Sequence, residues 1–242
     1  MKKLFIVVNH DWFFMSHRKA IAVEALHTGW DVTIVTCDTG RFDDIRSLGL
    51  KAVNLPIDAT GKNLKEESKT FLFLWKLYRK ERPDVVHHVG LKNILWGGLV
   101  AKLVGVCGVV NAVSRLGTLF NGDQPSKVAR TIMRVMGFSN SRKNVVTIFQ
   151  NHEDEGLFYR YRVVKPGQSA FIKGSGVDLN DFAYTPDPVM ADDVMHIIFT
   201  ARMVREKDWI ISGNTFDQPF LQSIPGKITV KNLVVSNNKK KL

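Results

Sequence analysis

The feature that most constrains this chain is an alternation of short β-branched or aromatic runs with stretches of helical period. Residues 3–8 (KLFIVV), 31–36 (DVTIVT), 51–55 (KAVNL), 84–89 (DVVHHV), 108–113 (GVVNAV) and 144–149 (NVVTIF) read as strands. Between them, residues 16–28, 41–48, 64–81, about 92–104 and about 126–137 read as helices. Parallel strands need a long crossover, commonly a helix, so strand–helix–strand at this spacing predicts a parallel sheet wrapped on both faces. The strands are nearly continuous apolar runs, as expected of strands buried on both sides. The expected class is therefore α/β, a Rossmann-like doubly wound parallel sheet.

The periodicity also suggests where this sheet ends. After a short strand at 170–174 (AFIKG), glycine, proline and acidic clusters give residues 172–192 the composition of a linker. A new strand, MHIIFTA (195–201), then opens into a loop with two cations five positions apart, Arg202 and Lys207. The expected organisation is a first domain over 1–171, a linker over 172–192 and the start of a second domain over 193–242. From Asp208 the pattern fails: residues 208–226 show no helical face, and the last sixteen offer one strand and a lysine tail.

Composition narrows the partners. The formal charge of +11 favours anions such as nucleotide phosphates or acidic lipid. Nucleic acid is not expected, because the basic residues are spread along the chain and form no reader motif. Cys37 and Cys107, seventy positions apart, make no metal or redox pattern and are expected to be buried thiols in a reducing compartment. The apolar run of the first strand stops at Val8, too short for a signal peptide. The longest apolar stretch, 94–110, is interrupted by Lys102 and glycines and falls short of the ~20 residues a bilayer needs. A soluble, cytoplasmic chain is expected.

In open sheets of this kind ligands collect beyond the carboxyl ends of the strands, which directs attention to the loops after the first, fourth and fifth. In the first loop, HDWFFMSHR, His17 and Arg18 are expected to start the first helix, where a helix N-terminus and a cation attract anions. After the fourth strand, His87 and His88 are sent to opposite faces by the period of two, so one can face the cleft while the other packs beneath a helix. Lys92 lies at the next helix start. Lys127, Arg130 and Arg134 share helical spacing and form either a solvated face or one that rests on an anionic membrane. Gly174 and Gly176 allow a turn or a close backbone approach to a ligand.

Six blocks of the chain, in order, resemble the retaining glycosyltransferases of family 4, which have the GT-B fold of two facing Rossmann-like domains. They are FFMSHRKAIAVEALHTGWDVTIVT, RPDVVHHVGLKNILWGGLVAKL, VVNAVSRLGTLF, FQNHEDEGLF, IKGSGVDLNDF and IIFTARMVREK, and they cover residues 3–207 almost continuously. The likeness is greatest to enzymes of bacterial surface-glycan assembly. It implies transfer of a hexose or N-acetylhexosamine from a nucleotide-diphosphate sugar to a lipid-linked glycan, without a metal or other cofactor. It assigns Arg202, Lys207 and Gly176 to the donor diphosphate, and Arg18, Lys92, Arg115 and Gly117 to the acceptor-side cleft. His87, His88 and His17 are its catalytic candidates, although Val89 occupies the position where some relatives place the catalytic histidine.

Two departures from the family pattern follow. Arg115 replaces a usual glycine, a change that costs roughly 1–2 kcal/mol if that position needs a positive φ. Asp208 replaces the glycine after the donor lysine, and no pair of glutamates eight apart follows, since the last glutamate is Glu206. The expectation is a donor domain cut off after its first strand and loop, with weak or no transfer by this chain alone. The alternatives are an acceptor- or membrane-binding module, or one half of a two-subunit transferase, peripheral on the inner face of the cell membrane.

Overall fold

The computed structural model describes residues 1–57, 64–114, 116, 126–180 and 183–184, with the backbone of four short strands between 209 and 236. The chain divides into two units, Met1–Ala183 and Tyr184–Leu242.

The first unit is built on seven strands: β1 (Lys3–His10), β2 (Asp31–Cys37), β3 (Lys51–Asn54), β4 (Val85–Val89), β5 (Gly108–Val113), β6 (Val145–Phe149) and β7 (Ser169–Phe171). All pair in parallel, in the order β3-β2-β1-β4-β5-β6-β7. The chain starts in the middle, steps outward to β3, then crosses back to lay β4 against the other side of β1. That reversal opens a crevice at the carboxyl ends of β1 and β4, the switch point of a doubly wound sheet.

Among the described residues seven helices cover the sheet: α1 (Asp11–His17), α2 (Lys19–His27), α3 (Phe42–Ser47), α4 (Leu64–Glu81), α5 (Leu91–Val104), α6 (Lys127–Ser139) and α7 (His152–Arg160). Alternate residues of β1 serve opposite cores. Ile6 and Val8 join Ile34, Val89 and Ala112 under Phe14, Ala22, Phe42 and Ile45 of α1–α3. Phe5 and Val7 join Val35, Val86 and Val109 under Leu74, Tyr78 and Val100 of α4 and α5. A third cluster packs Val113 and Phe149 against Met133, Met136 and Phe158 of α6 and α7. Four successive β1 residues, Phe5 to Val8, are almost wholly buried, each contributing roughly 1.5–3 kcal/mol.

The strands and most helices fall where the sequence pattern puts them, and the differences have physical causes. The first helix begins at Asp11, not near His17. The Asp11 carboxylate accepts the amides of Trp12 (2.6 Å), Thr39 (2.6 Å) and Arg41 (3.0 Å), together with the Thr39 hydroxyl. One acidic side chain thereby starts α1 and ties it to the loop after β2. The helix breaks at Arg18 (φ −130°, ψ −5°), whose amide still donates to the Phe14 carbonyl. His17 therefore ends α1, and Arg18 caps the start of α2, the helix that begins at Lys19.

Helix α7, which the sequence pattern did not foresee, is short and mostly polar, with Leu157 and Phe158 packed on the core. It is set by its Asn151 cap, whose side chain accepts the Asp154 amide (2.7 Å), and by Glu153, Asp154 and Glu155 in its first turn. The cysteines are not the buried pair expected: Cys107 is exposed in the turn between α5 and β5, and Cys37 is half-buried where β2 ends. The apolar stretch 94–110 divides between α5 and β5, and no helix among the described residues is long and apolar enough to cross a membrane.

In the second unit, β8 (Trp209–Ser212) pairs in parallel with β10 (Ile228–Lys231), and β9 (Thr215–Asp217) with β11 (Val234–Ser236). Beyond Asp208 the pattern foresaw only one strand, because runs of three or four residues are too short to show alternation. The expected strand at 195–201 lies outside the described residues.

Candidate functional site

Two residues from different elements converge on the crevice face beneath α1 and α2. Arg18 follows Asp11 and Phe14 along the buried side of α1 and is only 6% exposed. Its Nη1 donates to Ser175 Oγ (2.9 Å) and to the His17 carbonyl (3.2 Å), while its buried Nε has no partner. No carboxylate pairs with it among the described residues. Burial pulls its pKa below the ordinary value, but a guanidinium remains charged at neutral pH.

His87 points to the same face from β4 and is 7% exposed, with Nε2 buried and unpartnered. Burial first, then the charge of Arg18 and the neighbouring His88, push its pKa down to about 3, against the weaker pull of the Val110 carbonyl. The imidazole is therefore neutral at physiological pH, a state in which a ring nitrogen can accept a hydrogen bond or a proton.

His88, one residue on, faces α4 and α5 and is completely buried. Its Nδ1 meets the Asn111 amide oxygen (3.0 Å), which can only accept, so Nδ1 carries the hydrogen and Nε2 accepts the Tyr78 hydroxyl (3.0 Å). Burial raises the Tyr78 phenol far above its ordinary range, keeping it a donor. The Asn111 amide then donates to Asn140 Oδ1 (3.1 Å) at the end of α6. Burial, resisted by Asn111, lowers the His88 pKa to about 4. Helix α5 approaches so closely at Gly97 that a Cβ there would lie 2.5 Å from the His88 ring. The ring is thus enclosed by protein.

The other sequence candidates divide. His17 lies on the exposed side of α1, stacked on Phe13 with centroids 4.3 Å apart, and its Nδ1 meets Ser16 Oγ at 2.6 Å. Lys92, in the first turn of α5, is held by Glu67 of α4 (2.5 Å), and the same carboxylate accepts the Trp96 indole. Gly176 adopts φ +70° directly after Ser175, the residue that meets Arg18. Arg115, Gly117, Arg202 and Lys207 lie outside the described residues.

The structure thus brings Arg18, His87 and the segment before Gly176 together, and sets His88, His17 and Lys92 elsewhere. Sequence reasoning passed over Asp11, Ser175 and Asn111. Asn111 had a signal, since a lone amide inside an apolar, doubly buried strand needs buried partners. Among the described residues no group of three or more His, Cys, Asp or Glu could hold a metal ion.

A family model described as "Glycosyl transferase 4-like" matches residues 3–151. An Escherichia coli UDP-Gal:alpha-D-GlcNAc-diphosphoundecaprenol alpha-1,3-galactosyltransferase is 25% identical over 154 residues, which are 64% of this chain and 39% of that enzyme. Among solved structures, Anabaena Alr3699/HepE, in complex with UDP and glucose, aligns with a TM-score of 0.53 at 10% identity, over 77% of this chain and 48% of its own. A glycosyltransferase from Rickettsia africae also aligns at 0.53, with 13% identity, over 76% and 46%. At these identities the solved structures speak for the fold. The chain spans less than half the length of each of these relatives.

Proposed function

The chain belongs to the glycosyl transferase 4-like family, and from that membership we propose that it serves in a transferase moving a hexose or N-acetylhexosamine from a nucleotide-diphosphate sugar to a lipid-linked glycan. The observation that carries this reading is the pair at the switch-point crevice, a neutral His87 with an unused Nε2 beside an Arg18 that has no counter-ion. A neutral imidazole accepts a hydrogen bond from a sugar hydroxyl without opposing positive charge as it builds at the anomeric carbon. A fixed cation in a water-poor site stabilises the negative charge of a diphosphate.

Following the family likeness, we assign the donor diphosphate to Arg202, Lys207 and Gly176, and the acceptor to the side of Arg18, Lys92, Arg115 and Gly117. Two cations at the leaving group would take the part that a divalent ion plays elsewhere, so transfer needs no metal; retention of configuration is what the family likeness implies. The curated relative names the chemistry to try first, a UDP-sugar and a polyprenyl-diphosphate-linked GlcNAc.

A second reading concerns where the acceptor is met. Lys127, Arg130 and Arg134 are exposed along α6, and Val128 and Phe138 on the same helix are 62% and 54% exposed. Cations interleaved with apolar side chains suit an anionic bilayer, each cation adding roughly 1 kcal/mol near the surface. We place the protein as a peripheral one on the inner face of the cell membrane.

The test supplies the purified chain with anionic liposomes carrying polyprenyl-diphosphate GlcNAc. Retention of the acceptor is expected, with liposome binding that weakens as salt rises. Transfer of labelled galactose from UDP-galactose is measured with the donor half of the galactosyltransferase relative added. Alanine at His87 should then lower transfer by about 100-fold or more. Failure to retain the acceptor, or transfer indifferent to His87, refutes the reading.

A further inference from the structure

We propose that a cleft at the amino ends of β4 and β5 binds a small amphiphilic anion, an aromatic or short acyl group carrying a carboxylate or phosphate, on Arg79 and Arg82. The site lies at the end of the sheet opposite the crevice. A ligand held there leaves the crevice open to substrate, and the site stands without the transferase reading.

The cleft has a volume of about 430 Å³, within the roughly 300–1,000 Å³ of small-molecule sites. It opens where α4 and α5 end and the chain turns into β4 and β5. The Tyr78 ring, Val104 and Val106 give it an apolar wall. The Tyr78 hydroxyl is spent on His88 Nε2 (3.0 Å), so the tyrosine offers the cleft only carbon.

The polar groups of the lining are unevenly used. Asp84, the one acid on it, gives Oδ2 to the Lys3 amide (2.7 Å). The carbonyls that end the two helices are engaged as well. Tyr78 accepts the Arg82 amide (2.9 Å), and Ala101 accepts the amides of Gly105 (3.1 Å) and Val106 (2.9 Å) and Nη1 of Arg142 (3.1 Å). The guanidiniums of Arg79 and Arg82, by contrast, meet no acid among the described residues, and Arg79 lies over the Trp75 ring at 4.9 Å.

A cation in the last turn suits a helix carboxyl end, which accounts for Arg79. Arg82 needs a further reason. It follows α4 at φ +50°, the left-handed state that at this place ordinarily falls to glycine, so its side chain is kept at the expense of its backbone. A purely inorganic anion would leave the apolar wall wet, and a neutral ligand would leave both cations unmet. An apolar body with one anionic end satisfies both.

Cys107, exposed on the same lining, reports occupancy. In the full chain with Cys37→Ala it is the only thiol, and it is labelled with dithionitrobenzoate, an aromatic carboxylate, or with dithiodipyridine, which is neutral. In either case the Cys107 thiolate attacks one sulfur of the reagent, forms a mixed disulfide and expels an aromatic thiolate. The rate with dithionitrobenzoate is expected to saturate, because the reagent fills the cleft before it reacts, while the rate with dithiodipyridine stays linear. Nitrobenzoate, which cannot react, should slow dithiodipyridine labelling.

Arg79→Met and Arg82→Gly should each raise the half-saturating concentration about three- to fivefold, the range of one exposed ion pair. Arg162 supplies the control. It follows α7 at φ +55° and does not line the cleft, so Arg162→Gly makes the same change of charge and backbone and should leave labelling unaltered. A linear rate with dithionitrobenzoate, no protection by nitrobenzoate, half-saturation unmoved by Arg79→Met and Arg82→Gly, or an equal shift with Arg162→Gly would each overturn the proposal.

Discussion

His87 and His88 are neighbours on β4, yet they belong to two regions built on opposite terms. On the side of α4–α6, His88 uses both ring nitrogens, in a chain running from Tyr78 to Asn111 to Asn140. On the side of α1–α2, His87 leaves Nε2 unused beside an arginine with no counter-ion. Both rings are buried and both are neutral at physiological pH, so burial and pKa do not tell them apart. Hydrogen-bond satisfaction does. A completed network fixes structure, and an incomplete one is held open for something that arrives.

The largest expected effect tests what the two rings share. Each is neutral in the fold and titrates near the ordinary 6.5 once unfolded, so the unfolded chain takes up protons first as pH falls. Stability is therefore full above about pH 6.5 and lost on the way down to about 4 for His88 and about 3 for His87. At 1.36 kcal/mol per unit the combined loss is on the order of 8 kcal/mol, enough to unfold many domains. Asp11 adds nothing in that window. Burial would raise its pKa, but the bonds from Thr39, Arg41 and Trp12 hold it below 3.8, so its contribution is lost only in stronger acid. Urea unfolding from pH 7 to 4 measures the slope, and His88→Asn should remove nearly half of it. A flat profile would mean that neither ring is held neutral.

The next effect separates the regions. His88→Ala leaves the Tyr78 hydroxyl and the Asn111 amide without their partner and opens a cavity under α5, and should cost about 4–5 kcal/mol at pH 7. Gly97→Ala attacks the same ring from outside, forcing a methyl to within 2.5 Å of it, and should cost about 2–3 kcal/mol. Urea unfolding measures both. If either variant unfolds like the wild type, the His88 network is not structural and the comparison fails.

Much of this was legible beforehand, and the limit has a physical form. Parallel strands buried on both faces write themselves as apolar runs, so β1 to β6 could be read directly. Period two also gave the opposite faces of His87 and His88. Which face was the crevice could not be read, because that depends on Tyr78, Asn111 and Arg18, which the fold brings from ten to sixty-nine positions away. Asp11 was missed because its partners lie across a loop at Thr39 and Arg41. Ser175 was missed because its meeting with Arg18 spans 157 positions. Strand periodicity is local; the completion of a hydrogen bond is not.

The smallest effect bears hardest on the comparison. His87→Ala removes a buried ring of the same size as His88, from the same strand, and burial alone would predict the same cost. The imidazole of His87, however, has an unpartnered Nε2 and lies against the charge of Arg18. Removing it deletes an unsatisfied polar atom along with its packing, and the net loss should be about 1 kcal/mol at pH 7, against about 4–5 kcal/mol for His88→Ala. Two substitutions one residue apart would then differ severalfold in stability, and in the opposite sense in their effect on sugar transfer. Equal losses would mean that His87 has a partner in solution, and the crevice would then be as closed as the region behind it.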